Sequence, residues 1–393
     1  MSTLRVNTLQ STSTTDGGIS IDTSGNVTLP ANTKVGTQNL PSAGPLSNRN
    51  LIINGAMQVA QRGTSQTSSG YGSVDRWSVS LGGGITLTTS QQNLSSGDPY
   101  NEGFRNFARL ENTGTSTSTT AYAELQTKIE AQNVATSGWN YTNSSSFLVS
   151  SFWVRSSLAG TYYAQYRAPD SGDYFFNRPF TLSANTWTKV THTIPGDSSV
   201  VVNNDNGNGL EMVVVPHYGT GYQGANSTDG SWFTLASNNY FPSSTFSQDW
   251  ANTASATFDI TGVQLEVGSV ATPFEHRSYG QELALCQRYY VNMGSSGRVG
   301  VLPAIGSSVG AYFSLDFPVT MRTTSTLEYD ALSDFTIYDT AVGGGTPNNV
   351  SINNPSAQSP GLVVNGGITY GSNKGFYFYT SADGNKFAFT AEL

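Results

Sequence analysis

The chain is poor in the residues on which most chemical sites are built. A single cysteine, Cys286, stands among 393 residues. That excludes an intrachain disulfide and any cysteine-cluster metal site. A free cysteine of this kind reads as a small core residue. The three histidines are His192, His217 and His276. Their spacing fits no metal motif, and there is no H-E-x-x-H. Charged residues make up 11% of the chain, less than half of the roughly 25% usual in globular domains. No apolar run approaches the roughly 20 residues that span a bilayer as a helix. The start, Met1-Ser-Thr-Leu-Arg5, lacks the charged opening and apolar centre of a signal peptide. Synthesis in the cytoplasm, without a signal peptide, is therefore expected. Net charge is −8 with no basic stripe, which argues against a nucleic-acid partner.

What remains is polar without being charged. Mean hydropathy is −0.28, and the polarity comes from Ser, Thr, Asn, Gln and Gly. Thr, Tyr and Phe favour strands, while Gly, Asn and Ser favour the connections. Aromatics at 11% separate the chain from disordered sequences, which have few. The composition predicts an all-β protein.

Three regions follow. Residues 1–48 read as an appendage and linker. Gly18-Ile-Ser-Ile-Asp22 and Asn26-Val-Thr-Leu-Pro30 alternate around Thr23-Ser-Gly25, a hairpin pattern. A lone hairpin is marginal in water, so this one needs a partner. Residues 49–277 carry short strand candidates at regular spacing: 50–53, 77–81, 85–89, 107–110, 121–128, 146–154, 162–167, 188–194, 210–215 and 257–267. That density predicts a jelly-roll-like β-sandwich, with long loops at 170–177 and 216–256. In residues 278–393 a helix is expected at 280–290, with Leu283, Cys286 and Tyr290 on one face. Strands then resume at 312–317, 326–330, 335–339, 361–369, 375–380 and 386–392, giving a second, smaller β-module. Ser381-Ala-Asp-Gly-Asn385 is a hairpin turn signal.

Two phrases bracket the middle region. The first is Asn50-Leu-Ile-Ile-Asn-Gly-Ala-Met-Gln-Val-Ala-Gln-Arg-Gly63 with Asp75-Arg76-Trp77. The second is Ile260-Thr-Gly-Val-Gln-Leu-Glu-Val-Gly-Ser269 with Ala271-Thr-Pro-Phe-Glu-His-Arg277 and Cys286-Gln-Arg-Tyr-Tyr290. Together they resemble the opening and closing segments of a β-sandwich module in tail-fibre and other virion proteins of tailed bacteriophages, marine cyanophages included. Phe317-Pro-Val-Thr-Met-Arg322 and Phe389-Thr-Ala-Glu-Leu393 resemble the C-terminal module of the same proteins. The resemblance implies a virion structural protein, a homotrimeric tail fibre that binds the host surface; the alternatives are a purely structural tail or decoration component without receptor binding, and a glycan depolymerase. The fibre's N-terminal segment would attach to other tail proteins, and its ligand would be a surface glycan or outer-membrane receptor. It also implies that strand 50–53 lies beside the strand within 260–266.

The catalytic patterns are weak. Gly219-Thr-Gly-Tyr-Gln-Gly224 fits G-x-G-x-x-G, but a loop sequence follows where a dinucleotide site needs a helix. Gly306-Ser-Ser-Val-Gly310 fits G-x-S-x-G, but every histidine lies upstream. Asn203-Asn-Asp-Asn-Gly-Asn-Gly209 lacks the closing Glu of an EF-hand and reads as a turn. His276 reads as a hydrogen-bonding residue at a domain boundary. Paired carboxylates for glycan cleavage leave no sequence signature. The expectation is a protein with no enzymatic activity, cofactor or metal.

Binding has a stronger signal. Tyr218, Tyr222, Trp232, Phe233, Tyr240, Phe241 and Trp250 lie in one stretch rich in Gly, Ser and Asn. Exposed Tyr and Trp offer flat apolar faces with a polar edge, on which a sugar ring stacks. Tyr218, Tyr222, Trp232, Tyr240 and Trp250 are the glycan-binding candidates, with packing into a core or an interface as the competing role. A second aromatic set is Tyr162, Tyr163, Tyr166, Tyr174, Phe175 and Phe176, of which alternation sends half to the core.

Overall fold

In the computed structural model, the described residues are 48–294 except Asp173 and Ser244, then 298–300, 305–306, 310–339, 343–368, 376–380 and 386–393. Five short strands before residue 48 are described as well: β1 (Thr8–Leu9), β2 (Ile19–Ile21), β3 (Val27–Thr28), β4 (Lys34–Val35) and β5 (Gln38–Asn39). The expected hairpin forms, with Ser20 of β2 opposite Thr28 of β3. β1 adds a third strand to it.

The middle region is an antiparallel sandwich. Its strands are β6 (Ser65–Gln66), β7 (Gly70–Tyr71), β8 (Ser78–Gly82), β9 (Leu87–Asn93), β10 (Asn106–Asn112), β11 (Tyr122–Glu130), β12 (Phe147–Ser156), β13 (Gly160–Ala168), β14 (Tyr174–Leu182), β15 (Thr188–Pro195), β16 (Asn208–Tyr218), β17 (Trp232–Thr234) and β18 (Thr257–Val267). One sheet runs β15-β12-β18-β10-β9-β6, the other β17-β14-β13-β16-β11-β8-β7. Side chains alternate across each strand. Phe152, Val154, Ile260 and Leu110 of the first sheet therefore meet Tyr162, Tyr166, Met212 and Leu125 of the second in one core. Two short helices, α1 (Asp98–Asn101) and α2 (Ala131–Ala135), sit in connections.

The bracketing phrases meet, but not as two strands. Residues 50–53 have no strand conformation, which corrects that expectation. The Asn50 side chain takes the place of a ladder. Its amide donates to Val263 O at 3.0 Å, and its Oδ1 accepts from Leu265 N at 3.0 Å and Ile52 N at 3.0 Å. Leu51 N adds one backbone bond to Leu265 O at 2.8 Å. The segment thus lies beside β18 as expected. Gly55 permits the close approach, and Gly262 marks a bulge in β18 nearby. A Cβ on Gly55 would sit 2.0 Å from Val263 O, and Gly262 adopts φ +64° at a bulge where β12 shifts register on β18. Asn54, fully buried at φ 58°, ties its side chain to Gln58 N, Val59 N, Val59 O and Asp75 O. Arg277 of the closing phrase donates to Ile52 O at 3.1 Å and to Asn50 O. His276 bonds the Glu102 carbonyl at 2.9 Å.

A third helix, α3 (Tyr279–Gln287), follows, capped by a reciprocal Ser278–Gln281 box. Cys286 is buried on it. The helix stops short of Tyr290, which opens β19 (Tyr290–Asn292). The remaining strands are β20 (Arg298–Gly300), β21 (Ile305–Gly306), β22 (Ala311–Ser314), β23 (Thr326–Tyr329), β24 (Phe335–Asp339), β25 (Gly343–Gly345), β26 (Asn349–Asn354), β27 (Gly361–Asn365), β28 (Phe376–Thr380) and β29 (Phe387–Thr390). They form three small sheets around a phenylalanine-rich core with Phe313, Phe335, Phe378, Phe387 and Phe389. Residues 381–385 lie outside the described residues. The strands on either side of them belong to different sheets, since β28 pairs β20 and β24 while β29 pairs β19 and β23. They are not the two arms of one hairpin, although Phe378 of one and Phe387 of the other meet in the same core, with ring centres 5.6 Å apart.

The module docks on the sandwich through buried charge. Arg288 grips Glu130 with two bonds, at 2.7 and 2.8 Å, and Tyr289 OH donates to the same carboxylate. Burial raises the Glu130 pKa, but the Arg288 and Tyr289 bonds outweigh it and hold the group below its ordinary range. Arg76 pairs with Glu392 and lies 3.4 Å from the Tyr289 ring centre.

Candidate functional site

The sequence places five glycan candidates in one loop, and the structure divides them. Trp250 is completely buried, packed into the sandwich core. It is a core residue and not a platform for sugar. Its backbone N–H is held by Gln248 Oε1 at 2.9 Å, which aims the indole inward. Tyr218 is 4% exposed and donates its hydroxyl to Glu124 Oε2 at 2.7 Å. It supports the site from below. Burial, then the Glu124 charge, raises its pKa well above the ordinary tyrosine value. Trp232 is half-buried, but at the sandwich edge. It stacks on Tyr174 at 5.4 Å and 10° and donates to Pro195 O at 2.8 Å. Tyr222 and Tyr240 remain together, both half-buried, with rings 5.8 Å apart.

These two tyrosines sit over the outer face of the seven-stranded sheet. The segment after β16 folds back across that face and does not project from it. Gly219 N and Gly221 N each bond carbonyls of 119–121 at 2.7 Å, and Gly224 N bonds Phe241 O at 2.8 Å. Gln165 and Asn177, both fully buried, donate to Tyr240 O at 3.2 and 2.8 Å. Phe241 plugs the segment into the sheet. Residues 220–222 form one turn of 3-10 helix and not the start of an α-helix, so the glycine pattern there opens no phosphate cradle.

Alternation along β11, β13 and β16 puts a polar row beside the tyrosines. Arg167 Nη2 contacts Glu124 Oε2 at 2.6 Å and its Nη1 lies 3.6 Å from Glu211 Oε2. Lys128 Nζ stands 3.9 Å from Glu211 Oε1. Burial works against the Arg167 charge, and Glu124 and Glu211 outweigh it, keeping its pKa above the ordinary value. Tyr122 packs against Tyr218 at 5.3 Å and Tyr222 at 5.8 Å. Phe175 meets Tyr240 edge-on at 5.7 Å. The face thus combines tyrosine rings with carboxylates, a guanidinium and amides.

Sequence reasoning did not single out Tyr122, Glu124, Arg167 or Glu211. Period-two alternation in β11 and β13 was the available signal. The second half of the loop expected at 170–177 belongs to β14, which pairs with β13 from Gly160–Leu182 to Ala168–Tyr174. Tyr162, Tyr166 and Phe176 enter the core, while Tyr163 and Phe175 face outward, the division that alternation predicts. Among the described residues no group of three or more His, Cys, Asp or Glu could hold a metal ion. Among them, also, no helix is long and apolar enough to cross a membrane.

These features define an antiparallel β-sandwich with an aromatic outer face, joined to a smaller β-module. No family model and no curated protein matches the chain. Solved structures with some likeness include the enzymatically active domain of tailspike protein 4 of bacteriophage CBA120, at 10% identity and TM-score 0.31. That match covers 56% of this chain and 21% of the tailspike chain, so the chain spans about a fifth of its length. A family 11 carbohydrate-binding module from Clostridium thermocellum matches at 12% identity and TM-score 0.26, over 54% of this chain and 98% of the module. A cyclase from Fischerella sp. TAU matches at 10% identity and TM-score 0.30, over 59% and 98%.

Proposed function

We propose that the chain is a tail-fibre protein of a tailed phage and that its sandwich binds glycans of the host surface on the outer face of the seven-stranded sheet. The observation that carries the binding reading is the pair Tyr222 and Tyr240, half-buried beside the Glu124–Arg167–Glu211 row. Tyrosine rings supply an apolar surface for the C–H face of a sugar. The Tyr222 hydroxyl and the partly exposed Arg167 guanidinium meet its hydroxyls. The phage reading draws on the two bracketing phrases, whose residues interlock through Asn50, Gly55 and Arg277. The role is binding without cleavage, since Glu124 and Glu211 both engage Arg167 in place of a substrate proton.

The test is calorimetry of the purified chain with surface polysaccharide from the host. Tyr222→Ala or Tyr240→Ala should weaken binding by about 1–3 kcal/mol and leave the melting temperature in place. Full binding and full host adsorption in both variants would remove this face as the site. Release of oligosaccharide products would replace binding with cleavage.

A further inference from the structure

The opposite face of the sandwich carries a second constellation that the glycan reading above does not use. On the outer face of the six-stranded sheet, Arg155 of β12 stands directly opposite Asp259 of β18, and Asp259 stands opposite Arg109 of β10. Asp259 is fully buried and receives four charge-assisted hydrogen bonds. Arg109 donates from Nε to Oδ1 at 2.7 Å and from Nη2 to Oδ2 at 2.9 Å. Arg155 donates from Nε and Nη2 to Oδ2 at 3.0 and 2.6 Å.

One carboxylate therefore holds two guanidiniums, and the next negative charge acting on them, Glu111, lies on the Arg109 side of the row. Both arginine side chains stay about a quarter exposed, at 27% and 26%. The Nη1 of each has no protein partner among the described residues. Aromatic rings flank them. The Trp187 ring centre lies 4.7 Å from Arg155 Cζ, and Trp187 meets Phe107 edge-on at 5.6 Å.

The other charges on this face leave the Trp187 side open to an anion. Glu102 is taken up by Lys189 Nζ at 3.0 Å and by Trp153 Nε1 at 2.9 Å. Glu111 lies two residues along β10 from Arg109, in the direction away from Phe107 and Trp187. A second guanidinium, about a quarter exposed, with a tryptophan beside it has the form of an acid-reading subsite. Planar, forked donors match carboxylate and sulfate oxygens, and the indole offers a stacking surface.

We propose that Arg109, Arg155 and Trp187 form a second ligand site, which takes the acidic group of a glycan, a uronate or a sulfate ester, with the sugar ring laid on Trp187. The inference rests on the glycan reading for its ligand class only. Its residues lie on the other sheet.

The full chain should be titrated with three probes: an oligogalacturonate, its methyl ester, and a sulfated neutral oligosaccharide of the same length. The acidic probes should bind at least about tenfold more tightly than the ester, and less tightly as salt rises. The tighter of the two acids identifies the group that is read. Trp187→Ala and Arg155→Lys should each lose about tenfold in acid binding at an unchanged melting temperature. If Arg155→Lys unfolds, Trp187→Ala at the half-exposed rim decides alone. Equal binding of acid and ester overturns the proposal, as does acid binding untouched by Trp187→Ala. Tyr222→Ala separates the two faces. If it abolishes acid binding that Trp187→Ala preserves, the inference falls and the first face stands. If it preserves acid binding that Trp187→Ala abolishes, the second site stands without the first.

Discussion

At the scale of single residues, burial decides between identical chemistries. Tyr222 and Trp250 both read as stacking aromatics in a polar stretch, yet Trp250 has no exposure. Its replacement by alanine opens a large cavity, so Trp250→Ala should destabilise the chain by about 3–5 kcal/mol. Denaturant unfolding measures this, and a loss under about 1 kcal/mol would return Trp250 to the surface. His192 is a second case. It is buried between the Phe152 and Phe180 rings. Burial, and then the nearby Arg178 charge, pushes its pKa down from 6.5 to about 3. Above pH 6.5 the group is neutral in both states and adds no pH dependence. As pH falls from 6.5 towards 3, the unfolded chain takes up a proton that the core refuses. Stability should drop by about 1.4 kcal/mol per pH unit from this group. His192→Phe should flatten the stability curve over that window relative to the parent. Parallel curves for the two proteins would show that the histidine is charged in the fold.

At the scale of elements, period-two alternation was legible and local exceptions were not. The strand 257–267 is found with the predicted bounds. β14 went unread because Pro179 and the flanking Asp170-Ser-Gly172 signal a loop, whereas its partner β13 and the core behind Phe176 and Phe180 hold it as a strand. The segment 50–53 went the other way. Its apolar residues suit a strand, but the Asn50 side chain and Arg277 occupy the bonding groups that a ladder would use. The bulge at Gly262 leaves no room for a side chain. A Cβ there would sit 2.6 Å from the Phe104 ring, on a backbone at φ +64°. Gly262→Ala should therefore cost about 1–3 kcal/mol. Unchanged thermal and urea midpoints would mean that the bulge can relax.

At the scale of the whole molecule, assembly belongs to the fibre reading. The three-stranded sheet of β1, β2 and β3 is too small to be stable alone, and closed symmetry is the usual solution for identical chains. Light scattering of the purified chain should give about three times 41.8 kDa. A monomer at micromolar concentration, or a dimer, would rule out the trimeric fibre.

The sequence by itself determined the all-β fold class, and the resemblance of the two bracketing phrases to known segments anticipated that they lie together. The fold class depends on composition, alternation and local turn chemistry, which one segment expresses alone. The sequence also sent half of the aromatics between 162 and 176 to the core, because neighbours on a pleated strand face opposite ways. Only the tertiary structure decided which loop aromatics face solvent, since Trp250, Tyr222 and Trp232 differ in what lies across from them and not in their own neighbours. The same holds for the Glu124–Arg167–Glu211 and Arg109–Asp259–Arg155 rows. Each joins residues from three strands far apart in the chain. Only strand order and register bring them within hydrogen-bonding or ion-pairing distance.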